Sequence, residues 1–472
     1  MMSKQAAESG SPPTSCHDAD TLPDTTSCSK DTVAALPRRL GLWTAATFVV
    51  GIIVGSGIFR VPSIVAAEVG STGAIAAVWV LGGLITLCMS LSLAELAALY
   101  PRAGGIYVYI REAYGPLPAF VYGWTFLLIN PAVWAGVALI FAEYVGYFVP
   151  LSADGGRAVA ASLICFATLI NYRSVRFAAT VQNLTTVTKA LAILALAAAI
   201  FVLGSVANGA FNEPITFTAT GVGSFGVALV SVLFAYEGAA SFCSLSGEVR
   251  DPQRALPRAL AVGVGTVMML YLVVNAAYLY ALSLEEVASS HLVAATAMQK
   301  IAGPAATSVV AACVIVATFG TLVACAISDP RVFYAMGRDG LFFRSIGVVH
   351  QRFQTPHFAV LVAGAIAILY VSLHSFEELT VIFVLGLWPF YALAVLAVIV
   401  LRSKRPELER PYRTPLYPLV PLIFVVSAVL VLLNALVVEP GTTLINAIIT
   451  LSGIPVYFVW RALTGASGRS IA

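Results

Sequence analysis

The chain has few charged residues for its length. Only 10% of its 472 residues are Asp, Glu, Lys or Arg, whereas a soluble domain carries about 25%. Because 59% of the residues are hydrophobic and the mean hydropathy is +0.92, there are too few polar side chains to cover a water-facing surface. The composition excludes the disordered, coiled-coil, collagen-like and secreted disulfide-rich classes and indicates an integral membrane protein.

The residue types that build metal and catalytic centres are also scarce. The seven cysteines and five histidines show none of the spacings typical of zinc sites or hydrolase nucleophiles. We therefore expect no enzyme, no cofactor and no metal. The net charge is only +3, with the basic residues scattered, so a nucleic-acid partner is not expected either. A channel would need a continuous polar pore lining, whereas the apolar segments contain only isolated polar breaks.

Twelve hydrophobic segments have about the 20 residues that a helix needs to cross a membrane. They predict an all-α polytopic membrane protein with 12 transmembrane helices, surrounded by lipid. Residues 1–37 are rich in Ser, Thr, Asp and Pro and predict a disordered cytoplasmic tail without a cleavable signal peptide. The segments are approximately 42–67, 74–99, 117–149, 157–172, 180–203, 221–249, 256–283, 304–329, 357–374, 379–401, 415–437 and 442–461.

Lys and Arg are distributed unevenly between the connections of these segments. With the tail inside, the cytoplasmic connections and termini hold 20 of them, whereas the outer connections hold only Arg157 and Lys300. Since cytoplasmic loops carry an excess of positive charge, we expect both termini to face the cytoplasm. The expected location is the plasma (inner) membrane.

Two segments contain poor helix formers near their middle: Gly55-Ser56-Gly57 in the first, and Glu237-Gly238 in the sixth. Each glycine weakens a helix by about 1 kcal/mol. One explanation for the glycines of the first segment is close helix packing, for which Gly51-xxx-Gly55 is a known pattern. The other explanation is that both helices unwind at these points. Unwound backbone within a membrane is stable only where it lines a cavity or is buried in protein. Free amides after Gly55 would then bind an anion, and free carbonyls in the sixth segment a cation, as a zwitterion requires.

The order of the two breaks suggests an internal repeat. They lie in segments five apart, so each would open one half of a five-plus-five arrangement, and interrupted segments at corresponding positions point to a transporter site. We find no obvious repeat in residue identity, so this prediction depends on segment order alone.

Several short motifs, in this order, resemble the amino acid–polyamine–organocation (APC) superfamily and its L-type amino acid transporter branch. The resemblance extends from Gly41 to about Arg413. The motifs are Gly55-Ser56-Gly57-Ile58-Phe59, Ala94-Glu95-Leu96, Tyr100-Pro101-Arg102-Ala103-Gly104-Gly105-Ile106-Tyr107, Asn171-Tyr172-Arg173-Ser174-Val175, Val181-Gln182 with Lys189, Phe234-Ala235-Tyr236 before Gly238, and Arg405-Pro406-Glu407-Leu408-Glu409-Arg410-Pro411.

The resemblance implies a leucine-transporter-type (LeuT-type) fold with a 5+5 inverted repeat and broken helices 1 and 6. Residues 38–205 would form the first repeat and residues 206–403 the second, with the last two spans and the C-terminal tail in 404–472. It implies a secondary active transporter of L-amino acids that works by alternating access. We expect a sodium-independent exchanger of neutral and possibly cationic amino acids; a proton-coupled amino acid or polyamine symporter is the alternative.

The resemblance also implies the site residues. The amides around Gly55, Ser56 and Gly57 would bind the substrate carboxylate, and Phe234 would close over the substrate as a lid. Trp388 would border the side-chain pocket. The carbonyls expected to bind the amino group are those of Ile53, Phe234, Ala235 and Glu237.

Some positions depart from the family pattern. The outer loop at 151–157 has no cysteine, whereas animal members of the branch link to a glycoprotein (heavy) subunit through a cysteine there. A disulfide-linked heavy subunit is therefore not expected, and the chain resembles a microbial member. Ala239 replaces a usual tryptophan and could enlarge the pocket, and Glu237 is similar to the acid of members that accept cationic amino acids.

Ionisable residues within the apolar segments are functional candidates by default. Lys189 either snorkels to the inner surface or lies near the first break as a coupling or structural charge. Glu237 could pair with Arg60, face a water path or contact a cationic substrate. We expect Glu95 to serve the adjacent loop, and Glu248 to act as a gate or an ion-pair member.

Overall fold

The computed structural model describes residues 38, 40–173, 175–204, 221–343, 346 and 355–463, with the side chains of 175–179 left out. The predicted tail at 1–37, the predicted repeat boundary at 205/206 and the residues after 463 lie outside these ranges.

The described part of the chain is helical, with one isolated bridge between Leu40 and Val249 and a short 3-10 turn at Ser246–Glu248. The helices are α1 (Leu42–Ile53), α2 (Gly57–Val69), α3 (Thr72–Leu99), α4 (Ile106–Tyr114), α5 (Pro116–Ile129), α6 (Pro131–Gly146), α7 (Ala153–Arg173), α8 (Val175–Leu203), α9 (Val222–Ala235), α10 (Ala239–Cys243), α11 (Pro252–Ala281), α12 (Leu284–Ser289), α13 (Val293–Ser328), α14 (Pro330–Arg338), α15 (His357–Leu373), α16 (Phe376–Lys404), α17 (Leu419–Val438) and α18 (Pro440–Leu463).

By length and composition, the count of membrane-crossing helices among the described residues comes within one or two of the twelve predicted spans. Among the described residues, ten helical stretches are long and apolar enough to cross a membrane, or eleven if the bent pair α1 and α2 counts as one span. Each of the twelve predicted segments overlaps a helix, but α15 has only 17 residues. The protein is therefore an all-α, multi-pass membrane protein.

Both predicted helix breaks are present. Helix α1 ends at Ile53 and α2 begins at Gly57, with a bend of 44° between them. Helix α9 ends at Ala235 and α10 begins at Ala239. Gly238, in the second break, has φ +142°, a conformation that glycine adopts without a steric penalty and other residues rarely adopt.

Two further helices are interrupted at an Asx-Pro step. Pro131 separates α5 from α6 after Asn130, and Pro330 separates α13 from α14 after Asp329. Asn130 and Asp329 keep helical dihedral angles. The interruption is therefore in the hydrogen-bond ladder, because proline has no amide hydrogen and its ring displaces the carbonyl four residues before it.

Candidate functional site

The two broken helices cross at their breaks. A Cβ built on Gly57 would lie 2.6 Å from the Cα of Ala235, and one built on Gly238 would lie 2.7 Å from Cγ1 of Ile53. Real Cβ atoms do not approach other atoms so closely, so glycine is required at both positions. The structure therefore brings the predicted residues of the first and sixth segments together at one point.

Tyr271 of α11 connects the two breaks and was not anticipated from the sequence. Its hydroxyl oxygen lies 2.9 Å from the carbonyl oxygen of Ile53 and 3.2 Å from that of Ala235. The backbone amide of Gly55 faces the same hydroxyl oxygen. The hydroxyl has one hydrogen and donates it to one carbonyl at a time. The sequence signal that could have identified it is a tyrosine within an apolar span, because a buried tyrosine hydroxyl usually has a hydrogen-bond partner.

The crossing presents donors on one side and acceptors on the other. Helix geometry leaves the first amides of α2, those of Gly57 and Ile58, without helical acceptors, and Ser56 does not cap them with its side chain. On the other side lie the carbonyls of Ile53 and Ala235, together with that of Phe234, which accepts from the Glu237 amide at 3.0 Å. Such an arrangement can bind a carboxylate at the helix N-terminus and an ammonium at the carbonyls.

Phe234 lies in an aromatic cluster with α16. Its ring centroid is 5.6 Å from that of Phe376 and 5.8 Å from that of Phe383, both edge-on. Trp388, predicted to border the side-chain pocket, packs on Phe424 of α17, with ring centroids 5.3 Å apart. Since residues five apart on a helix point about 140° apart, Phe383 and Trp388 face different neighbours. The structure therefore groups Phe376 and Phe383, rather than Trp388, with Phe234.

Lys189 of α8 points to the first break. The side chain is 1% exposed, and its ammonium donates to the carbonyl of Gly51 and, at 2.9 Å, to the hydroxyl of Thr321. That hydroxyl also lies 3.1 Å from the carbonyl of Val54. Snorkelling to the membrane surface is therefore wrong for Lys189. Its amine lies between α1 and α13, and Thr321 is a second residue that the sequence did not reveal.

Glu237 and Arg60 do not pair, so this one of the three alternatives for Glu237 is wrong. Arg60 contacts Glu377 of α16 at 2.5 Å. The partly exposed Glu237 accepts from the hydroxyl of Tyr391 at 3.2 Å. Ser241 interacts with both Glu237 and Asp329. Neither Glu237 nor Asp329 has a cationic partner within the described ranges. The site therefore contains two acidic side chains whose hydrogen-bond donors are all neutral.

One end of the bundle, formed by residues 100–105, 249–251 and 405–418, is tied by ion pairs; we call it the basic end. Glu95 accepts from Arg402 at 2.7 and 2.9 Å and from the amide of Thr414 at 2.7 Å, so it serves the adjacent loop, as predicted. Glu248 pairs with Arg331 at 3.0 Å, which confirms that it is an ion-pair member.

The opposite end of the bundle is more open. A cavity of about 920 Å³ extends there, lined by Arg60, Glu143, His291, Phe376 and Glu377 among others. Arg60 and Phe376 also belong to the contacts already described around the breaks. The cavity therefore reaches Arg60, three residues after Gly57, and Phe376, which packs on Phe234. Among the residues that the structure describes, no group of acidic, histidine or cysteine side chains could hold a metal ion.

A multi-pass bundle whose interrupted helices meet near mid-span is typical of secondary transporters. The chain belongs to the amino acid permease family, because the model of that family, described as "Amino acid permease", matches residues 40–460. This confirms the resemblance to the APC superfamily and its L-type branch.

Three relatives illustrate the similarity. The chain is 31% identical to the Serine/threonine exchanger SteT of Bacillus subtilis, over 90% of the chain and 97% of the exchanger. It is 32% identical to the b(0,+)-type amino acid transporter 1 of Mus musculus, over 90% and 88%. It is also 32% identical to the mouse Large neutral amino acids transporter small subunit 2, over 93% and 84%. The family and these relatives are transporters, so the chain is an amino acid transporter and not an enzyme.

Proposed function

We propose that the protein is a sodium-independent exchanger of L-amino acids that works by alternating access in the plasma membrane. The observation that carries this proposal is the crossing of the two breaks, where free amides of α2 face carbonyls of α1 and α9. The named exchanger among the relatives supports exchange. A bound amino acid would satisfy both sides at once, which a simple anion or cation would not.

In the proposed binding mode the substrate carboxylate accepts from the amides of Ser56 and Gly57. The Gly55 amide faces Tyr271, so it is the least available of the three predicted donors. The ammonium group donates to the carbonyls of Ile53, Phe234, Ala235 and Glu237. A carbonyl oxygen has two lone pairs, so those that already accept a hydrogen bond can still take the substrate.

Lys189 supports sodium independence. Its ammonium holds the carbonyl of Gly51 and the hydroxyl of Thr321, which are the kinds of oxygen ligand that a monovalent cation would use between α1 and α13. A covalently attached charge at that place removes the need for a dissolved cation. In this proposal Lys189 is a structural charge that keeps the first break next to α13.

The proposed architecture is twelve spans with two inverted repeats, 38–205 and 206–403, followed by 404–472. The α1/α2 and α9/α10 breaks fall five predicted spans apart, which supports this arrangement. The Asx-Pro steps at Asn130 and Asp329 also fall five spans apart, in the third and eighth segments. Both termini would face the cytoplasm, and no disulfide-linked heavy subunit would be needed.

Glu237 favours substrates with an additional positive charge. The carboxylate is partly exposed, and the groups that contact it, the hydroxyls of Tyr391 and Ser241 and the amide of Gly238, are all neutral donors. A substrate ammonium or guanidinium group could neutralise it, whereas a neutral substrate would leave it charged or require a proton. The proton is the basis of the alternative function, a proton-coupled symporter of amino acids or polyamines.

A panel of labelled amino acids taken up into proteoliposomes tests this proposal. Because truncating one partner of a buried charge pair costs several kcal/mol, Glu237→Gln should reduce uptake of lysine and arginine at least about tenfold. Uptake of serine and leucine should stay within about threefold of the unmodified protein. Glu285→Gln, at an exposed residue of α12, is the matched control. Equal loss for neutral and cationic substrates would remove Glu237 from charge recognition.

A further inference from the structure

Two proline-interrupted helices are joined by one buried carboxylate. Asp329, which is 3% exposed, accepts at the same oxygen from the Asn130 side-chain amide at 2.7 Å and from the Trp134 indole at 2.8 Å. The Ser328 hydroxyl lies 3.0 Å from its other oxygen. We call Asn130, Trp134 and Asp329 the clasp. It connects the α5/α6 interruption to the α13/α14 interruption.

The residues next to Asp329 contact the inner part of the sixth predicted span. The Ser244 hydroxyl, just after α10, lies 2.8 Å from the carbonyl oxygen of Ser328 and 2.7 Å from that of Ser241, and donates its hydrogen to one of them at a time. Arg331 contacts Glu248 at 3.0 Å, and also the carbonyl of Ile327. The short stretch 328–331 therefore holds the α10 segment on one side, while the clasp holds the same stretch on the other.

The clasp matters because the helix itself does not fix the direction of α14. Pro330 removes one hydrogen bond of the ladder, and helices bend most easily at such points. The direction of α14 then depends on side-chain contacts at the interruption. Hydrogen bonds to a carboxylate are stronger than those between neutral groups, and leaving a buried acceptor unsatisfied is costly.

We propose that Asp329 is a positioning residue for transport: through the clasp it holds α14 so that Ser328 and Arg331 keep the basic end closed against α10. The inference rests on the proposed function, since closing and opening the basic end is one half of alternating access. Asp329 does not need to touch the substrate in this role. Loss of the clasp shifts the protein towards a state in which the basic end is open.

The chain provides its own reporter for that opening. Cys243 at the end of α10 is 0% exposed, and its backbone packs against the loop of the basic end, where a Cβ on Gly105 would lie 2.7 Å from the Cys243 carbonyl carbon. In a variant with Cys243 as the only cysteine, a charged methanethiosulfonate reagent applied to the basic end modifies this thiol when the end opens. The rate of modification measures how often it is open.

Asn130→Ala should raise the modification rate of Cys243 about tenfold, in line with the loss of one hydrogen bond to a charged group. Asp329→Asn, which keeps an acceptor but loses the charge, should raise it about threefold. Exchanging the partners, with Asn130→Asp and Asp329→Asn together, should bring the rate back to within about twofold of the parent, because an amide and a carboxylate still face each other.

Asn171→Ala is the matched control. Asn171 is also a buried asparagine, but its amide donates at 2.9 Å to Ala167 in its own helix, α7. Its loss should leave the Cys243 rate unchanged. An unchanged rate in folded Asn130→Ala protein, or the same rise in Asn171→Ala, would overturn the proposal. If Asn130→Ala does not fold, Asp329→Asn and the exchanged pair decide in the same way.

The labelling experiment needs no substrate. If the unmodified protein transports no amino acid, the proposed function fails while the clasp is still tested by the Cys243 rates. If transport is present but the rates do not follow the clasp, only the positioning role of Asp329 is wrong.

Discussion

Gly57 and Ala235 pack backbone against backbone where the two interrupted helices cross, so that a Cβ on Gly57 would stand 2.6 Å from the Cα of Ala235. The distance between the donors of α2 and the carbonyls of α9 is therefore set by the absence of a side chain. A site with amides on one side and carbonyls on the other depends on that distance, because hydrogen bonds weaken steeply with poor geometry.

Gly57→Ala should abolish most amino acid uptake, because the added methyl group pushes α2 away from α9. We expect a loss of at least about tenfold in uptake by proteoliposomes, together with lower thermal stability from overpacking of about 1–3 kcal/mol. Gly265→Ala in α11 is the control, since nothing lies within 4 Å of a Cβ there. Normal uptake by the Gly57→Ala protein would show that the crossing is not the substrate site.

Tyr271→Phe should reduce transport about fivefold while the protein remains folded. The substitution removes the hydroxyl between Ile53 and Ala235 but keeps the ring, which contacts Trp79 at 5.6 Å. A single hydrogen bond of this kind contributes about 1 kcal/mol. Tyr278→Phe, on the same helix, removes a buried hydroxyl that has no partner in the described structure and should have little effect. Uptake rates of the two variants at equal protein amounts decide the matter, and equal rates would contradict the connecting role of Tyr271.

Lys189→Met should impair transport more than folding. Methionine keeps much of the apolar stem but removes the ammonium that contacts Gly51 and Thr321, so the first break loses its charged link to α13 and keeps only the contact between Thr321 and the Val54 carbonyl. We expect uptake to fall at least about tenfold, since hydrogen bonds to charged groups contribute about 1.5–3 kcal/mol. Thr188→Ala, at the exposed neighbouring position, is the control. Normal uptake by well-folded Lys189→Met protein would remove Lys189 from the mechanism.

The sequence predicted the two breaks because their residues conflict with their surroundings. Gly55, Gly57 and Gly238 are poor helix formers in the middle of apolar segments, and no water is available there to satisfy an unwound backbone. The positions of all twelve apolar segments could also be predicted, because a backbone without access to water must form a helix over a continuous apolar stretch. One of them, α15, has only 17 residues and is shorter than a typical membrane-crossing helix.

The partners of the site residues could not be predicted in the same way. Tyr271 is 218 residues from Ile53, and Glu377 is 317 residues from Arg60. Periodicity and composition place a residue within its own helix but do not state which helix it faces. Several acids could have paired with Arg60, and only the packing of α2 against the other helices distinguishes Glu377 from Glu237. The contact of Trp388 with Phe424 could not be predicted either, because the rotation of Trp388 about α16 was unknown.

Exchange itself is the most direct test of the account. The measurement is uptake of labelled serine, leucine and lysine in sodium-free buffer, into proteoliposomes that are either empty or preloaded with unlabelled amino acid. The account predicts uptake that is at least about tenfold faster into preloaded vesicles and unchanged when sodium is added. Equal uptake into empty vesicles that follows an inward proton gradient would contradict exchange and identify a proton-coupled symporter instead.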